Sequence, residues 1–348
     1  MRDDHRSHQD DLVSFVRSVG SGTSELVEED FGGGFYRLHT NEAEKRQAQH
    51  DIRYVEDALL ELLRNARDAK ATHIAVASQL RRSRFRELVV IDNGEGIPSG
   101  YHELVFEPRV TSRVRAFIED AYGVHGRGMA LYAIKTRSHV SEIAFSEPGS
   151  GAAVKVTLDI ESLPERKNQA ERPRLVRSSG GYELKGVHNI LYVVTDFALQ
   201  NPACEIVYGT HAEILGWLLR APEFAPLVRC FGLDPHAVRF SYAAVERLAR
   251  ALGLSISPRN LYRVSTGDVS APVRLSAARM RTAGRRVRID GTLKFTREDW
   301  DQVKSAIEHA LQPHLEAYGL TIVGMKQVRK NGELKLHIEL AETDENFQ

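Results

Sequence analysis

The sequence predicts an α/β fold. A two-layer α+β sandwich spans residues 41–160, and a separate mixed α/β C-terminal region follows. Three observations predict it. Val55, Leu59, Leu62, Leu63, Ala66 and Ala69 recur at helical spacing, which gives one helix an apolar stripe to lay on a sheet. Two short strand-like runs come next, Thr72–Ser78 and Arg86–Ile91. A second helix, Met129–Arg137, then leads into the strands Val140–Phe145 and Ala153–Leu158 around the turn Pro148-Gly149-Ser150-Gly151. A sheet covered by helices on one face is the packing solution for that order.

Taken from the start, residues 1–9 are polar, and Leu12, Val13, Phe15, Val16 and Val19 predict a short amphipathic helix ending at Gly20. Ser21–Gly34 is acidic and glycine-rich, and residues 1–40 read as an N-terminal arm. Asn41–Lys70 is helical with a break near His50. Tyr101–Gly128 is long, carries Arg109, Arg113, Arg115 and Arg127, and reads as a mobile lid, since loops of that length are functional or disordered. Glu161–Gly186 is charged, contains Pro and Gly and lacks periodicity, so residues 161–188 read as a linker.

Beyond it, residues 189–270 read as a mixed, mostly helical region. Asn189–Phe197 is an apolar, strand-like run, and His211–Leu219 and Tyr242–Leu252 are helical by spacing. Residues 271–342 read as a small basic β-α-β-β module. Its strand is Arg286–Phe295, its helix Arg297–Tyr318 starts after a Thr296 cap, and its hairpin turns at Asn331-Gly332. The acidic tail 343–348 reads as disordered.

The 348 residues suggest two or three domains. Lys plus Arg number 47 and Asp plus Glu 47, so there is no whole-chain electrostatic case for nucleic acid or membrane. Any such case is local, and Arg259–Arg297 supplies one: Arg274, Arg279, Arg281, Arg285, Arg286 and Arg288 stand against Asp268 and Asp290. Cys204 and Cys230 lack metal spacing and read as reduced thiols. No apolar run is long enough for a bilayer, and the N-terminus lacks the apolar core of a signal peptide, so the expected location is the cytoplasm.

Three motifs carry chemistry. Glu61, Asn65 and Asp68, at i, i+4 and i+7, share one helix face. The run Glu87–Ile91 stops at Asp92-Asn93-Gly94-Glu95-Gly96-Ile97-Pro98, where one fixed carboxylate meets backbone bare enough for a flat ligand. Gly123-Val124-His125-Gly126-Arg127-Gly128-Met129 then runs into a helix, whose N-terminal amides suit phosphate oxygens. Each motif alone has a plain alternative: a solvated helix face, a turn-capping aspartate, an ordinary glycine loop. Together, in this order and within one domain length, they point to a nucleotide.

These three boxes resemble the N, G1 and G2 motifs of the GHKL ATPase superfamily, that of gyrase B, heat-shock chaperones, histidine kinases and MutL. Gly123–Gly128 is similar to a gyrase-type lid, and Val105–Arg113 is similar to the histidine-kinase F box, with a MutL-like Thr111-Ser112-Arg113 end. The resemblance covers residues 40–160 and implies the Bergerat-type ATP-binding fold. It implies ATP and Mg2+ as cofactors. It gives Asp92, with Gly94, Gly96 and Ile97, the adenine. Asn65 becomes the magnesium ligand, with Asp68 holding the site by hydrogen bonds. The glycine loop with Gly123, Gly126 and Gly128 gives backbone donors to the phosphates, Arg127 or Lys135 neutralises their charge, and Thr111 and Met129 complete the nucleotide-binding set. His125 contacts phosphate or packs in the lid. Gly151-Ala152-Ala153 departs from the family's Gly-Thr-Thr, which removes a hydroxyl that Thr157 or Ser150 would have to replace.

Glu61 decides the reaction that the resemblance implies. A carboxylate there is the general base of the hydrolysing members, whereas histidine kinases generally carry asparagine; an exposed helix glutamate is the alternative. The expected function is a magnesium-dependent ATPase with lid closure and homodimerisation, and with DNA or a protein as partner. An anti-sigma-like serine protein kinase and a nucleotide-sensing regulatory protein are the alternatives. Leu248–Leu254 and Asn260–Arg263 resemble a helix-turn-helix with an overlong turn.

Overall fold

The computed structural model describes residues 27–112, 118–125, 128–178, 181–237, 240–277, 280, 297–316, 320–330 and 333–342. The expected helix at Leu12–Val19, the strand at Arg286–Phe295, the Thr296 cap, the Asn331-Gly332 turn and the tail 343–348 lie outside the described residues. Two compact units are present, Met1–Arg281 and Thr282–Gln348.

The first unit opens with a hairpin, β1 (Val27–Gly32) and β2 (Phe35–Leu38). It becomes a three-stranded sheet when β2 pairs with β5 (Val110–Thr111). Part of the expected arm is thus built into the domain: Phe35 stacks on Tyr101 at 4.1 Å, and the Tyr101 hydroxyl donates to the Gly32 carbonyl. Helices α1 (Glu42–Asp51) and α2 (Val55–Asp68) follow, with the predicted break at Ile52–Tyr54. Asn41 and Glu44 form a capping box on α1. Asp57 caps α2 by accepting from the amides of Arg53 and Tyr54, both at 2.9 Å. Lys70, in left-handed backbone at φ 62, ends that region.

Strands β3 (His73–Arg81) and β4 (Phe85–Asp92) form the centre of a six-stranded sheet. Short strands β6 (Ile118–Asp120) and β7 (Gly123–His125) make a hairpin, followed by α3 (Ala130–Arg137), β8 (Val140–Glu147) and β9 (Gly151–Asp159). Strands β10 (Arg174–Ser178) and β11 (Gly181–Lys185) pair with each other, so 161–188 contains a hairpin. Next come α4 (Ile190–Gln200), β12 (Glu205–Gly209), α5 (His211–Leu218), α6 (Ala225–Arg229), α7 (Tyr242–Ala251), α8 (Pro258–Thr266) and β13 (Val273–Leu275).

The sheet order is β13-β12-β3-β4-β9-β8. Two corrections follow. The run Asn189–Phe197 is a helix, not a strand: Asn189 caps it by accepting from the Tyr192 amide at 2.9 Å, and its apolar residues are buried around it. A short continuous apolar run cannot separate a buried strand from a buried helix. The region after 189 is also not separate from the first sheet, because β12 runs parallel to β3, pairing Ile206 with Ile74 and Tyr208 with Val76. The compact units therefore divide after Arg281 and not within 161–188.

The α/β class stands, with a layer added. On one face Ile74, Val76, Leu88, Val90 and Val156 meet α2, α3 and α4 through Leu59, Leu62, Leu63, Ile134 and Phe197. On the other, Ala75, Ala77, Val89, Ile91 and Val207 meet α5, α6, α7 and α8 through Ile214, Leu218, Leu227, Leu248 and Val264. Helices α7 and α8, the expected helix-turn-helix pair, contribute Leu248, Leu261 and Val264 to this second core.

The second unit holds α9 (Arg297–Glu316) and the antiparallel hairpin β14 (Leu320–Lys330) and β15 (Glu333–Glu342), as the alternation predicts. Most of the basic stretch after Ala277 lies outside the described residues.

Candidate nucleotide site

The three motifs meet at one cavity of about 990 Å³ between α2, the loop after β4 and the N-terminus of α3. Glu61, Asn65 and Asp68 line it from α2, Gly96 and Ile97 from the β4 loop, Thr111 from β5, and Gly128 and Met129 from the start of α3. The helix period supplies the first set: these polar groups point away from the buried Leu59, Leu62, Leu63 and Ala66 of the same helix. Asp92 and Gly94 are buried and do not line it, Asp92 being 4% exposed. Gly123 and His125 are placed in β7 by their backbone, while Gly126 and Arg127 lie outside the described residues.

The loop after β4 is pinned from both sides. The Gly94 amide donates to Asp92 Oδ1 at 2.8 Å, and the Glu95 amide donates to the Ala69 carbonyl at the end of α2 at 2.9 Å. The Ile97 amide donates to Ser146 Oγ at 2.6 Å, and Ser146 donates onward to the Gly151 carbonyl. A Cβ on Gly96, whose φ is +75°, would stand 2.2 Å from the Glu147 carbonyl oxygen. One on Gly151 would stand 1.9 Å from the Asp92 carbonyl oxygen. Both glycines are required by close backbone approach.

Burial dominates Asp92. It pushes the carboxyl up to about 7, against hydrogen bonds from the amides of Gly94 and Ala152. Ala152 sits opposite Asp92 in the register and opposite Ser146 on the other side. Thr157 cannot supply the missing hydroxyl. It pairs with Glu87, five positions along β9 from Ala152, about 16 Å away at strand rise and on the opposite face. Ser150 is in the turn, with its hydroxyl 3.9 Å from Cys230 Sγ. Ser146, buried and in the same row as Asp92 and Ala152, is the hydroxyl that pairing places there, a residue the sequence reading missed.

A second missed set is a charge network on α2. Arg64, nearly buried, pairs with Glu61 at 2.5 Å and with Asp120 at 2.6 Å. Arg67 pairs with Asp120 at 2.9 Å and with Asp68 at 3.0 Å, and reaches Asn201 on the far side. Burial opposes charge on both sides of this network. The Arg64 and Arg67 guanidinium groups nevertheless hold the Asp120 carboxyl down at about 2. The hairpin β6–β7 is thereby fastened to the helix that carries Glu61, Asn65 and Asp68. The spacing of Glu61 and Arg64, i and i+3, is visible in the sequence, but nothing local announces Asp120.

Among the described residues no group of three His, Cys, Asp or Glu side chains converges to hold a metal ion. A magnesium ion that arrives on phosphates and keeps waters needs few protein ligands, and the exposed Asn65 amide on the cavity wall fits that need.

Residues 50–162 match the family model described as histidine kinase-, DNA gyrase B-, and HSP90-like ATPase. This segment belongs to the GHKL ATPase superfamily. The chain is 42% identical over 84 residues to the DNA mismatch repair protein MutL of Thermus thermophilus, covering 23% of this chain and 14% of that protein. The Geobacillus thermodenitrificans MutL is 29% identical over 141 residues, 40% of this chain and 21% of that protein. The chain thus spans a seventh to a fifth of the length of these relatives. A crystal structure titled as the N-terminal domain of a DNA repair protein overlaps 48% of this chain and 51% of that chain, at 18% identity and a TM-score of 0.32. Among the described residues no helix is long and apolar enough to cross a membrane.

Proposed function

We propose that this protein binds ATP with magnesium and hydrolyses it. The observation that carries the reading is the convergence of Glu61, Asn65 and Asp68 with Gly96, Ile97, Gly128 and Met129 on one cavity. Asn65 takes the magnesium through its amide oxygen, and the backbone before α3 takes phosphate oxygens. Asp92, fixed at the end of β4, accepts from the adenine amine, and Ser146 stands in for the absent threonine hydroxyl. Glu61 orients and deprotonates the attacking water. Phosphoryl transfer asks chiefly for position and charge neutralisation, which this short list of groups provides.

The MutL relatives support a nucleic-acid partner, with nucleotide-driven closure and homodimerisation as the way binding is communicated. The basic composition of Arg259–Arg297 supports that reading. The free cysteines Cys204 and Cys230 suit the cytoplasm. A nucleotide-sensing role with slow turnover is favoured by a different observation: Arg64 already holds the Glu61 carboxylate. Phosphate release measured with magnesium, with EDTA, and with duplex DNA tests the proposal. Magnesium-dependent release supports hydrolysis, and stimulation by DNA supports the partner. Tight nucleotide binding without release favours the sensing role.

A further inference from the structure

A triphosphate needs cations, and among the described residues three basic side chains line the cavity: Arg53, Arg64 and Arg166. Arg64 is committed to Glu61 and Asp120. Arg53 is exposed, with its Nε donating to the His50 carbonyl. Arg166 differs from both. Its guanidinium lies 4.1 Å over the Tyr54 ring and has no carboxylate partner among the described residues.

The backbone that delivers Arg166 is built with care. Leu163 is buried in the core, and the Val55 amide donates to the Pro164 carbonyl at 3.1 Å. Glu165 pairs with the buried Arg86 at 2.8 Å. The Arg166 amide donates to both oxygens of Glu56, at 3.2 Å each, and Gln169 donates to the same carboxylate. The stretch 163–169, read from sequence as part of a linker, is therefore strapped across the first turn of α2. Tyr54 precedes Glu61 by seven residues, two turns on the same face and about 10 Å along the axis. Tyr54 stands at the N-terminal end of α2, whereas the β4 loop with Gly96 is pinned to its other end through Ala69, so the guanidinium over Tyr54 lies beyond Glu61 at the end of the cavity away from Gly96.

Resting on the nucleotide reading of this cavity, we infer that Arg166 is the side chain that engages the terminal phosphate of ATP, held ready by Tyr54 and by the strap on Glu56. The strap uses backbone atoms of Arg166, so Arg166→Gln removes the charge and leaves the strap in place.

The test is calorimetric titration of ATP-analogue and ADP, with magnesium, into wild type, Arg166→Gln, Arg166→Lys and Tyr54→Phe. A charged hydrogen bond to phosphate predicts that Arg166→Gln loses about tenfold or more in affinity for a non-hydrolysable ATP analogue while ADP affinity and melting temperature stay as in wild type. Arg166→Lys recovers part of the loss, and Tyr54→Phe, which keeps the ring, behaves as wild type. Equal loss for both nucleotides, or no loss for either, overturns the role of Arg166 while the nucleotide site stands. Absence of nucleotide binding by wild type overturns the site itself.

Discussion

Lowering the pH from 8 to 6 is expected to weaken nucleotide binding about tenfold, with Asp92 as the cause. Burial beneath the loop raises its carboxyl to about 7. An adenine amine donates to the ionised form. With that value about nine-tenths of the protein is competent at pH 8 and about one-tenth at pH 6, which gives the tenfold factor. Binding then releases a proton below pH 7, so the heat of binding depends on the ionisation enthalpy of the buffer. Calorimetry across that range, on wild type and Asp92→Asn, measures both effects, and the variant subtracts the titration of the nucleotide itself. A wild-type pH profile identical to that of the variant would refute the assignment of Asp92 to the purine. The same shift sets the sign for stability. The native state holds the Asp92 proton at pH values where the unfolded chain has lost it, so this contribution declines as pH rises from about 4 to about 7. At about 1.4 kcal/mol per unit, the full decline is on the order of 4 kcal/mol.

Further outcomes follow from the packing. Gly96→Ala places a methyl against the Glu147 carbonyl in left-handed backbone and should cost at least about 2 kcal/mol, read as a lowered melting temperature together with lost nucleotide binding. Asp120→Ala leaves Arg64 and Arg67 without their shared carboxylate, at a cost of about 3 kcal/mol in denaturant unfolding. Because Asp120 is held at about 2, its stabilisation is present above about pH 4 and disappears as pH falls through about 2. Asp120→Ala should show a shallower acid limb than wild type.

Much of residues 41–160 was legible because local patterns and tertiary demands coincide there. The stripe Val55–Ala69 is amphipathic at helical spacing and is buried as that spacing requires, and the glycines of the β4 loop sit where backbone meets backbone. The second helical layer left a fainter mark. The run Leu88–Ile91 is apolar without alternation, as suits a strand buried on both faces, yet such a run reads equally as any short core segment. The strand–helix error at Asn189–Phe197 has the same origin. Site groups joined over long sequence distances were invisible: Asp120 meets Arg64 across 56 residues, and Arg166 reaches Tyr54 from a stretch whose composition resembles a linker. Ser146 could be found only from the register that sets it beside Ala152.

The measurement closest to the central claim compares wild type with Glu61→Ala for magnesium-dependent release of phosphate from ATP, alongside the affinity of each for a non-hydrolysable analogue. Wild type is predicted to turn over, and Glu61→Ala to bind the analogue with affinity within a few-fold of wild type while releasing no phosphate above background. Equal turnover by both proteins would contradict the role of Glu61, and binding without turnover by wild type would contradict the ATPase assignment itself.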